Sequence, residues 1–272
     1  MKSLIVTTLN EPFLPGMVAL HNSYLKNSRT AFDFAALVFG PKRLAEHVAS
    51  RGILVVHNPR FPLRHLPTGK HPRYRDQRYL PAMYGRMLAP SLFREYARIV
   101  YVDSDALILQ SLARLAHRPM VHTLASTRCN SPMDYNVVGR TYPFTYGPMS
   151  SMYVLDTALW YSHDYDRKWV QIASDPKLQF PYTVQGVLQA TIETDWHEWP
   201  WHTQAHVGHN TYERAEKQED VAVLHFMGTK PWLPLSDELS RDYKIRARDL
   251  WQTYYNMDGP ASCRGPKMGR RG

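Results

Sequence analysis

Between Arg98 and Gln110 the chain reads RIVYVDSDALILQ, an apolar run that drives into Asp103-Ser104-Asp105 and leaves through a second apolar run. Flanks this rich in Ile, Val and Leu belong inside a fold, so they carry the two acids toward an interior where an uncompensated carboxylate is costly. In an extended segment residues i and i+2 point the same way, which puts Asp103 and Asp105 on one side and turns Ser104 away from it. A divalent cation is one compensating charge. The other reading that these residues allow is a strand ending in a solvated Asp-Ser-Asp turn, with one acid capping a helix.

The surrounding sequence predicts a frame for that turn. Ser3 to Leu9 (SLIVTTL) is a β-branched apolar run with the signature of a buried strand, broken by Asn10-Glu11-Pro12. From Gly16 to Lys26, residues Met17, Leu20, Tyr24 and Leu25 recur at helical spacing. The alternation repeats with Phe32–Phe39 as strand, Pro41–Arg51 as helix and Ile53–Val56 as strand. Strands alternating with helices predict an α/β fold with a parallel sheet covered on both faces. Ligands of such sheets bind beyond the carboxyl ends of the strands, where Thr7 to Asn10 and Asp103 to Asp105 both fall. Further on, Leu80–Phe93 carries an apolar stripe interrupted at Arg86, and Met120–Ser126 and Ser151–Asp156 are predicted strands. Thr157–Ser174 and Tyr182–Ile192 are predicted helices, Val221–Phe226 a late strand and Asp237–Tyr254 an amphipathic helix. The stretch from Thr127 to Pro148 reads as loop without further assignment. The composition of GPASCRGPKMGRRG predicts a disordered tail over 259–272, after one domain over 1–258.

Composition narrows the function classes. Of the 272 residues 44% are hydrophobic and 21% charged, which is globular composition, and no apolar run approaches membrane-spanning length. MKSLIVTTLNEPF lacks the long apolar region and small-residue cleavage site of a signal peptide. Cys129 and Cys263 stand far apart and offer neither a disulfide framework nor a cysteine metal site, so a reducing cytoplasm is the expected location. The net charge of +9 is concentrated in Asn58–Arg78, with Arg60, Arg64, Lys70, Arg73, Arg75 and Arg78 against Asp76, and in the tail. No zinc-finger spacing or RNA-recognition signature accompanies it, so nucleic acid is not an expected partner. A lid over the binding site, or contact with an anionic acceptor, is the expected use of the basic segment.

A second informative stretch is LHFMGTKPW, Leu224 to Trp232. His225 at the end of an apolar strand is a candidate metal ligand, Gly228 permits close backbone approach, and Lys230 offers a cation for phosphate. Singly, each has an ordinary structural alternative, such as a core histidine or an exposed lysine.

DSD after an apolar strand, HFMGTKPW late in the chain and the opening VTTLNEPFLPGMVALHNSYLKNS together resemble the family 8 glycosyltransferases, the glycogenin-like group, over roughly residues 3 to 235. The resemblance implies a GT-A fold, a single Rossmann-like mixed sheet flanked by helices, and retaining transfer from a UDP-sugar. It implies Asp103, Asp105 and His225 as ligands of Mn²⁺, with Mg²⁺ as the alternative, and Thr7, Leu9, Asn10 and Phe13 around uracil and ribose. Ser104, Gly228 and Lys230 fall with the diphosphate. Arg86 matches a family arginine near the donor, and pairing with Asp103 to organise the site is its structural alternative. Gln185 matches the amide near the sugar's reacting face.

Three positions depart from the family pattern. Ser150 and Met152 stand where Asn and Gly are usual, and Val184 stands where the family carries Asp before Gln185. Ser150 and Ser151 are candidates to replace part of the lost hydrogen bonding. The implied function is a metal-dependent retaining glycosyltransferase acting on a glycan, protein or lipid-linked acceptor. The alternative is a catalytically impaired nucleotide-sugar-binding protein of the same fold.

Overall fold

The computed structural model describes residues 2–29, 31–68, 79–129, 135–137, 140–142, 147–176, 183–207, 221–228, 230–234 and 242–257. Among them the strands are β1 (Ser3–Leu9), β2 (Asp33–Val38), β3 (Leu54–His57), β4 (Arg98–Val102), β5 (Ala106–Ile108), β6 (Leu124–Arg128), β7 (Tyr135–Val137), β8 (Arg140–Tyr142), β9 (Pro148–Asp156), β10 (Trp196–Trp199), β11 (Gln204–His206) and β12 (Val223–His225). The main sheet has seven strands in the order β10-β6-β9-β4-β1-β2-β3, and β11-β12-β5 form a smaller sheet.

The first half follows from the alternating pattern. β1 is buried along its whole length and pairs in parallel with β2 and β4. Its even residues Leu4 and Val6 pack on one face with Leu37, Ile99 and Tyr101, and its odd residues Ile5 and Leu9 on the other with Met17, Val38 and Val100. Period-2 burial on both faces is what a strand between two helical layers requires. The first helix, Leu14–Asn27, begins one turn earlier than its apolar spacing suggests, because Pro15 fits the first turn, where no intrahelical N–H bond is needed.

The second half departs from an all-parallel sheet. β9 runs antiparallel to both β4 and β6. Arg98, at the start of β4, and Asp156, at the end of β9, form a buried ion pair, and Asp156 also accepts the Leu159 N–H at 2.9 Å to cap the helix Thr157–Ser162. The antiparallel entry brings the beginning of β9, rather than its end, to the edge where β1 and β4 finish.

Other differences have local causes. The stripe over Leu80–Phe93 breaks into Leu80–Tyr84, a 3-10 turn Gly85–Leu88 and Ala89–Leu92, since Gly85 and Pro90 interrupt a continuous helix. Thr157–Ser174 divides at Asp164, whose φ of 54° is left-handed. The unassigned stretch contains the end of β6, the antiparallel pair β7–β8 and the first residue of β9, which begins three residues before the predicted strand. Residues 237–241 of the last predicted helix, and the tail, lie outside the described residues; the helix itself spans Asp242–Tyr255 and packs Trp251 and Tyr254 against Leu107, Leu224 and Phe226 of the small sheet. Among the described residues no helix is long and apolar enough to cross a membrane.

Candidate active site

The apolar run through the acids is divided between two sheets. β4 ends at Val102 in the main sheet, β5 begins at Ala106 in the small one, and the turn between them holds Asp103, Ser104 and Asp105. β5 pairs antiparallel with β12, bringing His225 opposite Ala106. One ligand atom from each of Asp103, Asp105 and His225 lies within 4.8 Å of the others.

Each carboxylate has one oxygen committed to a cation and one turned toward the imidazole. Asp103 Oδ1 accepts from Arg86 Nη2 and from the Tyr101 hydroxyl, both at 2.8 Å, while its Oδ2 lies 3.7 Å from His225 Nε2. Asp105 Oδ2 pairs with Lys230 Nζ, while its Oδ1 lies 3.1 Å from His225 Nε2. Burial by itself would raise the Asp105 carboxyl, but Lys230 and then His225 outweigh it and hold the group well below the usual carboxylate range. Asp105 therefore stays ionised at any working pH. His225 Nδ1 is buried without a hydrogen-bond partner among the described residues, so the contacts at Nε2 alone set its tautomer. Two carboxylate oxygens and one imidazole nitrogen, all convergent, are a donor set suited to Mn²⁺ or Mg²⁺.

Arg86 is fully engaged by protein atoms. Its Nε donates to Met83 O at 3.0 Å, Nη1 to the Ser150 carbonyl and to Ser150 Oγ, and Nη2 to Asp103. The guanidinium also lies over the Tyr101 ring, 4.5 Å from its centroid. Burial works against its charge, yet Asp103 more than compensates and its pKa is raised. Arg86 thus adopts the Asp103-pairing arrangement. Tyr101 is pushed well above an ordinary phenol by burial, so its one proton serves Asp103, and the Thr8 hydroxyl, 2.8 Å away, donates to the Tyr101 oxygen.

The sugar-side candidates are likewise tied to the protein. Gln185 Oε1 accepts the Ser150 N–H at 2.8 Å and its Nε2 donates to Pro148 O at 2.6 Å, a two-point clamp on the start of β9. Ser150 Oγ is engaged by Arg86 and Ser151 Oγ by Gln204 Nε2 at 2.8 Å. Val184 and Met152 are buried in the two cores.

Of the residues expected around a nucleotide, Thr7 and Leu9 are buried on the face of β1 that turns away from Asp103, and Asn10 is also buried. Phe13 makes edge contacts with Trp232 and Tyr79 and lies under Lys230 Nζ at 5.6 Å. Gly228 has φ of 81°, a left-handed conformation that favours glycine. Gly16 permits a close approach: a Cβ there would sit 2.5 Å from Ser104 O and 2.6 Å from the Trp232 ring. Thr8, Tyr101 and Trp232 stand beside these groups without having been singled out from the sequence. For Tyr101 a signal existed, since it stands two residues before Asp103 and a strand points both to one side. Of the basic segment, 69–78 lie outside the described residues.

A mixed sheet flanked by helices, with an acidic pair leaving its central strand, is the GT-A fold seen in LgtC. A profile described as glycosyl transferase family 8 matches residues 4–236, and the chain belongs to that family. The fold is similar to that of WbbM, a bifunctional glycosyltransferase, with a TM-score of 0.67 and 14% identity over 95% of this chain and 50% of that one. It is similar to the galactosyltransferase LgtC in complex with donor and acceptor sugar analogues, with a TM-score of 0.61 and 15% identity over 93% of this chain and 95% of that one. GlyE of Streptococcus pneumoniae TIGR4, in its apo form, gives a TM-score of 0.64 at 14% identity over 96% of this chain and 62% of that one. The chain therefore spans about half the length of WbbM and less than two thirds of GlyE. No curated protein sequence matches it significantly.

Proposed function

We propose that this chain transfers a sugar from a UDP-sugar to an acceptor hydroxyl with retention of anomeric configuration, using a divalent cation held by Asp103, Asp105 and His225. The observation that carries the proposal is the convergence of those three ligand atoms within 4.8 Å in a family 8 chain. When bound, Mn²⁺ or Mg²⁺ supplies positive charge to a leaving diphosphate. Lys230, on the loop after β12, adds an ammonium on the same side, and Gly228 lets that loop turn. Arg86 and Tyr101 hold one oxygen of Asp103, leaving the other to face the site. Thr7, Leu9, Asn10 and Phe13 form the nucleotide side, with Phe13 offering an aromatic edge next to Lys230. Gln185 is a neutral amide held on backbone groups, a weak nucleophile, so retention is assigned to attack by the acceptor on the face that the diphosphate leaves. Glycosyl-enzyme formation on Gln185 is not required.

Incubation with Mn²⁺ and a panel of UDP-sugars, with release of UDP as the readout, tests this reading. Asp105→Asn is expected to lower turnover at least ~100-fold, the scale on which a catalytic charge contributes. Wild-type turnover in that variant removes the metal assignment.

The engagement of both Gln185 amide atoms and the burial of Val184 favour a second reading, a nucleotide-sugar-binding protein with impaired transfer. Calorimetric binding of UDP and Mn²⁺ without turnover on any UDP-sugar would select it over the first.

A further inference from the structure

Beyond the ends of β2 and β3 a pocket of about 620 Å³ opens between Phe39, Phe61, Leu63 and Leu66, with Arg60 and Arg64 in its wall. That volume is in the range of small-molecule sites. Phe39 and Phe61 stack there, with centroids 5.7 Å apart and planes 16° apart. The rim is braced from within. Asn58 has a left-handed φ of 45°, its side chain accepts the Gly40 N–H at 2.9 Å and donates to Gly40 O at 3.0 Å, and its own N–H bonds Val38 O at 2.8 Å. Asn is the non-glycine residue that adopts this conformation most readily, and its three bonds here fix the turn that carries the rim.

The charge in the pocket is unbalanced. Among the described residues no acid lines it and neither arginine pairs with a carboxylate. A guanidinium fork matches phosphate oxygens, and two of them match the charge of a phosphomonoester. The apolar walls ask for a hydrocarbon neighbour to that charge.

The pocket also adjoins the acid cluster without being part of it. A Cβ on Gly85 would meet the Phe39 ring at 2.7 Å and Thr8 at 2.9 Å, so Gly85 lies against both the pocket's Phe39 and Thr8, which is joined through Tyr101 to Asp103, while none of the residues lining the pocket belongs to that acid cluster. An anion at Arg60 and Arg64 is therefore a second one, distinct from a diphosphate beside Lys230. We propose that this pocket binds a phosphate ester carried on an apolar body, and so that the acceptor hydroxyl belongs to a lipid-linked phosphate held there by its phosphate group. The inference rests on the glycosyltransferase reading above for its use of the word acceptor, but the pocket's chemistry does not.

Calorimetry on the full chain tests it with octyl phosphate, octyl glucoside and inorganic phosphate as probes, in the presence and absence of UDP and Mn²⁺. Octyl phosphate is expected to bind at least ~10-fold more tightly than either other probe, since only it satisfies charge and apolar wall together. It is expected to bind alongside UDP and Mn²⁺ without competition. The Arg60→Ala/Arg64→Ala variant, altered only at exposed side chains, is expected to lose at least ~10-fold in octyl phosphate affinity while binding UDP and Mn²⁺ as the wild type does. Arg60→Lys/Arg64→Lys is expected to retain an intermediate affinity. Equal octyl phosphate binding in wild type and alanine variant overturns the proposal, as does octyl glucoside binding of equal strength. Competition with UDP, or loss of UDP binding in the alanine variant, overturns it by assigning the arginines to the donor. Failure of UDP and Mn²⁺ to bind the wild type sinks the donor reading instead, and the octyl phosphate comparison still reports on the pocket.

Discussion

Asp103 illustrates how much of a candidate metal ligand's behaviour is decided by groups that would never touch a cation. Its Oδ1 is held by Arg86 and Tyr101, so the orientation of Oδ2 is inherited from them. Tyr101→Phe removes the hydroxyl's bonds to Asp103 and Thr8 without changing the ring that stacks on Tyr153 at 5.3 Å. The expected outcome is a 10- to 100-fold weaker Mn²⁺ affinity by electron paramagnetic resonance, roughly the cost of losing a group that orients a ligand, with an unchanged circular dichroism spectrum. His21 behaves differently, because its effect is on stability. Burial, reinforced by the Arg51 guanidinium, lowers its pKa from 6.5 to about 3. The unfolded chain takes up this proton near pH 6.5 and the folded chain only near 3, so the contribution is complete above 6.5 and is lost as pH falls through that window. The slope is up to roughly 1.4 kcal/mol per pH unit. In His21→Phe, which keeps an aromatic ring against Tyr24 and Phe34, urea unfolding at pH 7, 5.5 and 4 is expected to lose that part of the acid dependence.

At the scale of elements, the legible parts were those whose side chains carry a period. SLIVTTL and DFAALV are β-branched and apolar, and each became a strand within one residue of its predicted limits. WHEW and QAH became β10 and β11 without that signal, because short strands at the margins of a sheet are held by backbone pairing with β6 and β12 more than by their own composition. The antiparallel course of β9 was hidden for a related reason: strand direction depends on the connection that precedes the strand, and that stretch had no readable pattern. In the candidate site, the acids, His225 and Lys230 were legible as residue types in an apolar context. The pairing of Arg86 with Asp103 was legible as one alternative, but Arg86–Ser150 and Gln204–Ser151 were not, since they are contacts between distant elements. Two glycines separate approach from conformation. Gly16→Ala is expected to destabilise the protein by about 2 kcal/mol or more, because Ser104 O and Trp232 must move. Gly228→Ala, with open space around its Cβ and only a left-handed φ to overcome, is expected to cost about 1 kcal/mol. Guanidinium chloride unfolding of the two variants side by side measures the difference.

For the whole molecule, the acid turn is the place where the two sheets are joined. Asp103 closes the main sheet's β4, Asp105 opens β5, and His225 ends β12, so a cation binding all three would tie the sheets together. Anything that binds the native state alone stabilises it by mass action, about 2.7 kcal/mol at a ligand concentration one hundred times its dissociation constant. Saturating Mn²⁺ is therefore expected to raise the Tm of the wild type, EDTA to reverse the rise, and Asp103→Asn to abolish most of it, all by differential scanning calorimetry. The small sheet is in turn backed by the final helix, whose Tyr254 and Met257 carbonyls accept from the Asn22 amide on the first helix at 2.8 and 3.2 Å.

The pairing of β5 with β12 also sets an order of events during synthesis. Asp103 leaves the ribosome soon after Arg86 and Tyr101, and can be neutralised by neighbours already made. Asp105 cannot: its partners His225 and Lys230 follow it by 120 and 125 residues. While those 120 residues are being made, Asp105 lacks both of the side chains that contact it in the finished fold, and β5 lacks the strand it pairs with. The corner that would bind metal is thus among the last parts of the fold to be completed, and a chain arrested before Val223 would be expected to hold the first three strands in register while lacking the site.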